Sequence, residues 1–356
     1  MGESPGVGAG PDRELPRTMK LARVHGVGDM RVDEVHVPAI GPRDVLVRIG
    51  VTGVCGSDLG YVAAGGLGGG APLSEPLPIG HEFAGVVEQV GVEVQGITPG
   101  QRCAVNPDAG LIGGGGPSGA FAPFILVRDA RAGFDICPIP DSLPLEQAAL
   151  AEPLSVALHG INIGRVNPGD KVVVLGAGPI GLCTVICLRH RGVRDILIAD
   201  LSDARLERAR QLGAAVTVNS ARESLVDAIG RAHGGGERFG MPFVGSDVII
   251  DAAGAQQVLG ELLDVAKFRA RVVIVALHKK PMPINLWKMM ANEFSISGSI
   301  ATDREEEFNE CLKMLAGDEV DVGPLISHRI DFSQLDDAFR IAADTQASAK
   351  VIVTFS

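Results

Sequence analysis

The segment Val172-Val-Val-Leu-Gly176-Ala-Gly178-Pro179-Ile180-Gly181 narrows the possible folds of this chain more than any other. Four apolar residues, three of them β-branched, run straight into G-x-G-x-x-G, and an apolar stretch of helical character follows. Glycine at the first position permits a tight turn. At the second it lets the backbone approach a pyrophosphate, and at the third it lets helix and strand pack closely. The helix that opens there offers free N–H groups and a positive dipole end to an anion. Asp200 ends the next apolar run, 24 positions after Gly176. A carboxylate there can accept hydrogen bonds from a ribose. An ordinary helix cap is the other reading of Asp200, although Ser202 and Asp203 are also able to cap.

From residue 171 onward, strand and helix patterns alternate. The strand candidates are Lys171–Leu175, Asp195–Ala199, Ala215–Val218, Asp247–Asp251, Arg271–Ala276 and Phe294–Ile300. Asp203–Leu212 and Ser220–His233 read as helices, and residues 234–246 read as a Gly/Pro-containing loop. Such alternation builds a parallel sheet covered on both faces, here a doubly wound Rossmann sheet. The preceding part reads differently. Lys20–His25, Met30–Val37, Asp44–Val54, Phe83–Val92, Gln101–Asn106 and Phe121–Val127 are short Val/Ile-rich runs, which suggest a β-barrel-like domain. The Gly-rich segments 63–71 and 110–119 interrupt them as loops. Leu143–Ile163 is helix-like and joins the two halves, and Lys350–Phe355 is a further strand returned to the first domain. Residues 1–18 read as a disordered tail with no apolar signal segment.

Net charge separates some function classes. Lys plus Arg number 32 against 43 Asp plus Glu, a balance of −11. That argues against a phosphate-tracking nucleic-acid surface and against an anionic-membrane binder. The six cysteines are scattered and do not form a disulfide framework, so a cytoplasmic setting is expected, with no membrane span.

Three further motifs carry chemistry. Cys55 and Ser57 lie in Gly53-Val-Cys-Gly-Ser-Asp58, just after a strand. His81 and Glu82 lie in Pro78-Ile-Gly-His-Glu-Phe-Ala-Gly85, just before one. Glu152 lies in Ala151-Glu-Pro-Leu154 on the joining helix. Taken singly, they are a buried thiol, a core histidine and a helix carboxylate. Taken together, Cys55, His81, Glu82 and Glu152 form a ligand set for zinc with an open position, the catalytic kind.

With these motifs in order, the chain resembles the zinc-dependent medium-chain dehydrogenases/reductases, and most of all the sorbitol, threonine and 2,3-butanediol dehydrogenase branch. The resemblance spans nearly all of residues 19–356. It implies a GroES-like β-barrel catalytic domain over 19–155 and 302–356, and a Rossmann NAD-binding domain over 156–301. It implies one catalytic zinc and NAD in the cleft between them, and a homodimer or homotetramer. Cys55 and His81 would hold zinc, Glu82 and Glu152 would exchange on it or hold its water, and Ser57 would bond the substrate oxygen. Ile180, Asp200 and Arg205 match cofactor positions beside Gly176, Gly178, Pro179 and Gly181. Val275–Leu277 and Ser299–Ala301 match the nicotinamide-side backbone.

The chain departs from many relatives at three places. No cysteine lies between Cys103 and Cys137, so the four-cysteine lobe is missing and no structural zinc is expected. Gly60, followed by Tyr61, stands five positions after Cys55, where many relatives have a proton-relaying histidine. Ala301 stands where sorbitol dehydrogenases have a substrate-binding arginine, which favours a smaller or less polar alcohol. The expected activity is reversible hydride transfer between a secondary alcohol, such as a vicinal diol or hydroxy-ketone, and NAD, with zinc as Lewis acid. A polyol or amino-alcohol substrate is the nearest alternative. A zinc-free quinone or enone reductase is a second, and a non-catalytic dinucleotide-binding protein a third.

Overall fold

Hydrophobic β-formers in short runs pair into sheets before residue 140 and after residue 325, and alternate with helices between. The structure, a computed structural model, describes residues 8–9, 15–68, 73–300, 305–317 and 320–355. The first part contains β1 (Gly8–Ala9), β2 (Thr18–Gly26), β3 (Asp29–His36), β4 (Val45–Gly53), β5 (Leu77–Pro78), β6 (Glu82–Val90), β7 (Arg102–Val105), β8 (Phe124–Val127) and β9 (Ile136–Pro138). Among them lies α1 (Gly56–Ala64), a helix the sequence patterns did not reveal. The helical joining segment divides into α2 (Leu145–Ala148) and α3 (Ala151–Ile163).

The second part has β10 (Val172–Leu175), α4 (Pro179–His190), β11 (Ile196–Asp200), α5 (Asp203–Gln211), β12 (Val216–Asn219) and α6 (Leu225–His233). It continues with β13 (Gly235–Arg238), β14 (Met241–Val244), β15 (Val248–Asp251), α7 (Gln256–Asp264), β16 (Arg271–Ile274), α8 (Leu286–Asn292) and β17 (Ser295–Gly298). The chain then returns through α9 (Glu305–Ala316), β18 (Ile326–Asp331), α10 (Leu335–Ala342) and β19 (Lys350–Thr354).

The order β12-β11-β10-β15-β16-β17, all parallel, is that of a doubly wound sheet, with the chain reversing direction across the sheet between β10 and β15. The segment 234–246 is not a plain loop. It folds into the antiparallel hairpin β13–β14, with Arg238 paired to Met241. The first part forms a sheet in the order β18-β19-β4-β6-β7-β9, with β8 on β4, beside a smaller sheet β3-β2-β5. Strand β19 pairs antiparallel with the last residues of β4, immediately before Cys55. One buried core joins the two parts: Leu150 at the N-cap of α3, Leu154 and Ile161 within it, Val172 and Val174 of β10 and Phe308 of α9 belong to the same cluster. Among the described residues, no helix is long and apolar enough to cross a membrane.

Candidate active site

The end of β4 and the start of β6 lie side by side, Gly53 opposite Glu82, and this register brings two distant motifs together. A Cβ at position 53 would lie 2.2 Å from Glu82 Oε2, so any larger residue there would displace the Glu82 carboxylate. Cys55 then opens α1, where the helix dipole favours negative charge. Ligand atoms of Cys55, His81 and Glu82 all lie within 4.8 Å of one another. Thiolate, imidazole and carboxylate are donors zinc takes, so these three residues would hold it and leave a position open.

Asp58 fixes this geometry. It is fully buried, and it accepts the Cys55 N–H at 2.9 Å and the Gly80 N–H at 3.1 Å. It also stands 3.5 Å from His81 Nδ1. Burial raises the Asp58 carboxyl above its usual range, and the neighbouring His81 opposes that rise. Burial would lower the His81 imidazole, yet the charges of Asp58 and Cys55 outweigh it and hold the ring well above its usual value. His81 Nε2 meets Ser57 Oγ at 3.3 Å, while buried Nδ1 has no hydrogen-bond partner among the described residues. An imidazole beside a thiol and a carboxylate, with one ring nitrogen short of a hydrogen bond, fits a zinc site better than a structural core histidine.

Glu82 is not free to act as a simple ligand. Both of its oxygens lie 2.6 Å from Lys350 Nζ, which also donates to Val54 O at 3.1 Å. Both side chains are 1% exposed. Burial would pull the Lys350 ammonium down, but Glu82 outweighs that and holds it raised. Glu152 lies on α3, 5% exposed, and its charge reaches His81. It is not part of the group whose donors fall within 4.8 Å. Lys350 was missed by sequence reasoning, and Asp58 was given no role.

The dinucleotide elements are also assembled. Gly176 has φ +89°, and a Cβ at Gly181 would lie 1.8 Å from Gly176 O, the close packing the motif requires. Asp200 Oδ2 accepts the Ala177 N–H at 2.7 Å, and Oδ1 accepts the Ser202 N–H at 2.8 Å. Ser202, not Asp200, caps α5. Arg205 donates from Nε to Ser348 O, and its Nη1 lies 3.8 Å from where a Gly178 Cβ would be. Burial lowers its guanidinium from the usual value. Val275 follows β16, and Leu277 beyond it is 85% exposed. Ser299 Oγ is buried with no partner among the described residues, and Ala301 lies outside them.

Residues 41–141 match the alcohol dehydrogenase GroES-like domain, and residues 179–317 match the zinc-binding dehydrogenase domain. The chain is 30% identical to the (R,R)-butanediol dehydrogenase of Neisseria gonorrhoeae, covering 94% of this chain and 99% of the relative. It is 31% identical to the sorbitol dehydrogenase of Arabidopsis thaliana, covering 98% of each. A solved zinc-binding dehydrogenase of Sinorhizobium meliloti bound to NADP superposes with a TM-score of 0.80 at 27% identity, over 95% of this chain and 99% of that one. The chain therefore belongs to the zinc-dependent medium-chain dehydrogenases, in the sorbitol/butanediol branch. It is an oxidoreductase acting on alcohols, with zinc and a nicotinamide dinucleotide as cofactors.

Proposed function

We propose that this enzyme interconverts a small secondary alcohol, a vicinal diol or hydroxy-ketone of the 2,3-butanediol kind, with its ketone, using NAD. The observation that carries the proposal is the convergence of Cys55, His81 and Glu82, with Ser57 on the same histidine. In this reading Cys55 and His81 hold zinc, and Glu152 and Glu82 supply carboxylates around it. Bound there, zinc supplies Lewis acidity that lowers the pKa of an alcohol. Ser57 would orient the substrate hydroxyl and relay its proton, passing its own hydroxyl proton on to the ribose and water, while the buried Asp58 keeps His81 in place. The glycine loop and Asp200 of the Rossmann half would hold the dinucleotide, which would supply the hydride acceptor for the alcohol carbon.

Asp200 supports NAD over NADP, because a carboxylate at the ribose repels a 2′-phosphate. Arg205 beside Gly178 faces the loop expected to take the pyrophosphate. Ala301, in place of an arginine, supports a small substrate, and the butanediol relative points the same way. The polyol reading is favoured by the sorbitol dehydrogenase relative.

We read the first-part sheets as a GroES-like barrel over 19–155 and 302–356. The triple pairing of β4 with β6, β8 and β19 supports this reading. Residues 156–301 are the dinucleotide domain. A homo-oligomer is supported by the open edge of β17, flanked by exposed Leu286, Trp287, Met290 and Ile300. Six unbridged cysteines support a cytoplasmic setting.

The deciding experiment is a panel of diols, polyols and amino alcohols with NAD and with NADP, on protein of measured zinc content. Vicinal diols with NAD should give the highest kcat/KM. A preference for sorbitol moves the assignment to the polyol reading, and turnover of no alcohol removes both.

A further inference from the structure

One buried carboxylate, unused by the chemistry above, ties together the C-terminal edge of the parallel sheet. Asp251 ends β15 and is fully buried. Its Oδ1 accepts the N–H groups of Ala253 at 3.0 Å and Gly254 at 2.9 Å, which folds the following turn. That turn leans on the glycine loop, since a Cβ at Gly176 would lie 2.9 Å from Ala253 Cβ. The Asp251 carbonyl accepts the N–H groups of Val275 and Ala276, both at 3.0 Å. Its second carboxylate oxygen, Oδ2, takes His278 Nε2 at 2.6 Å. A single residue therefore links the loops after β10, β15 and β16, in the crevice where doubly wound sheets bind ligands.

His278 directly follows Val275–Leu277. The Leu277 side chain, almost wholly exposed, contributes little packing to hold that segment. The imidazole is only 18% exposed and its partner carboxylate is at 0%. A hydrogen bond onto a buried carboxylate is among the stronger ones available to a neutral or charged ring. Facing a carboxylate, which only accepts, Nε2 is the donor of this bond.

We propose that His278 is a positioning residue for the dinucleotide: anchored on Asp251, it fixes the Val275–Leu277 backbone and with it the place of the nicotinamide half. The proposal rests on the reading of Val275–Leu277 as nicotinamide-side backbone. The adenosine half, held by the glycine loop and Asp200, is outside its reach.

Isothermal titration with NADH and with ADP-ribose, which lacks nicotinamide, separates the two halves. His278→Ala should bind NADH about ten-fold more weakly, the scale of one lost charge-assisted hydrogen bond, and ADP-ribose within about two-fold of the parent. His278→Gln, whose Nε2–H can reach Asp251, should recover most of the NADH affinity, and the shorter His278→Asn should not. That pair keeps the test decisive if His278→Ala does not fold. Equal weakening of both ligands, or of neither, overturns the proposal. So does equal loss in the Gln and Asn variants. The underlying reading fails on a different result, in the parent protein: ADP-ribose binding as tightly as NADH means the nicotinamide half gains nothing from this backbone, and the proposal falls with it.

Discussion

Removing the Lys350 ammonium is the sharpest test of how this active site is held. Lys350→Met keeps the length and the apolar stem of the side chain but removes three donors. Two of them serve Glu82 at 2.6 Å and one serves Val54 O at 3.1 Å. No water can replace them readily, because both side chains are 1% exposed. Glu82 is then a buried carboxylate without its counter-charge. Breaking a buried pair in this way costs about 3–5 kcal/mol. For a domain of this size, each kcal/mol moves the thermal midpoint by about 2–4 °C, so a fall on the order of 10 °C is expected. The loss should be largest in metal-free protein, because a bound cation beside Glu82 supplies part of the missing charge. Glu82→Gln on the Lys350→Met background should restore part of the midpoint, since it removes the orphaned charge. The assay is a set of melts of the parent, both single variants and the double, each with zinc and after chelation. A metal-free Lys350→Met protein that melts within about 2 °C of the parent refutes the argument. So does a double variant whose loss equals the sum of the single losses, because coupled neighbours do not add.

Zinc-saturated protein should carry about one zinc per subunit by elemental analysis, the number a single catalytic ligand set accounts for, and Cys55→Ala should lose nearly all of it. A second metal that survives Cys55→Ala contradicts the ligand assignment. Glu152→Gln is nearly isosteric and should lower kcat by about 10–100-fold with little change in midpoint, as for groups around a metal; parental kcat in steady-state assays removes Glu152 from the site. Asp247 would be raised by burial, but the Lys171 N–H and the Lys267 ammonium outweigh that and hold it below its usual value. Its contribution to stability is therefore present near neutrality and is lost as pH falls from about 4 through the lower folded-state value. Urea midpoints of Asp247→Asn should accordingly depend less on pH in that range than those of the parent; an unchanged acid slope excludes this carboxylate.

The legible parts of the molecule were those encoded locally. The β10 run and G-x-G-x-x-G specify a strand, turn and helix within a few residues, and the described turn has the positive φ and the close packing expected of it. Cys55, His81 and Glu82 each sat in a motif at a strand end, and antiparallel pairing of β4 with β6 does the rest. The hairpin β13–β14 was hidden because its strands are four residues each, β13 being Gly and charge and β14 carrying a Pro in a short apolar run, so neither shows an alternating pattern. Lys350 was hidden for a deeper reason. A lysine opening the run Val-Ile-Val looks like an edge-strand charge. Only pairing across 268 positions of sequence turns it into the partner of Glu82. His278 is a similar case: its partner lies 27 positions away, on the neighbouring parallel strand.

The late position of β19 also bears on how the enzyme matures. Glu82 leaves the ribosome long before Lys350, with the entire dinucleotide domain between them. At about 5–20 residues per second the interval is on the order of tens of seconds. Throughout it, β4 lacks the neighbour that covers its end, and the Glu82 carboxylate has no lysine to meet. The parallel sheet, whose strands are contiguous in sequence, can fold during that wait; the Glu82–Lys350 pair and the β19 cover over the end of β4 cannot form. Until β19 is made, a nascent chain has every strand of the parallel sheet but leaves the edge of β4 that β19 covers without that partner.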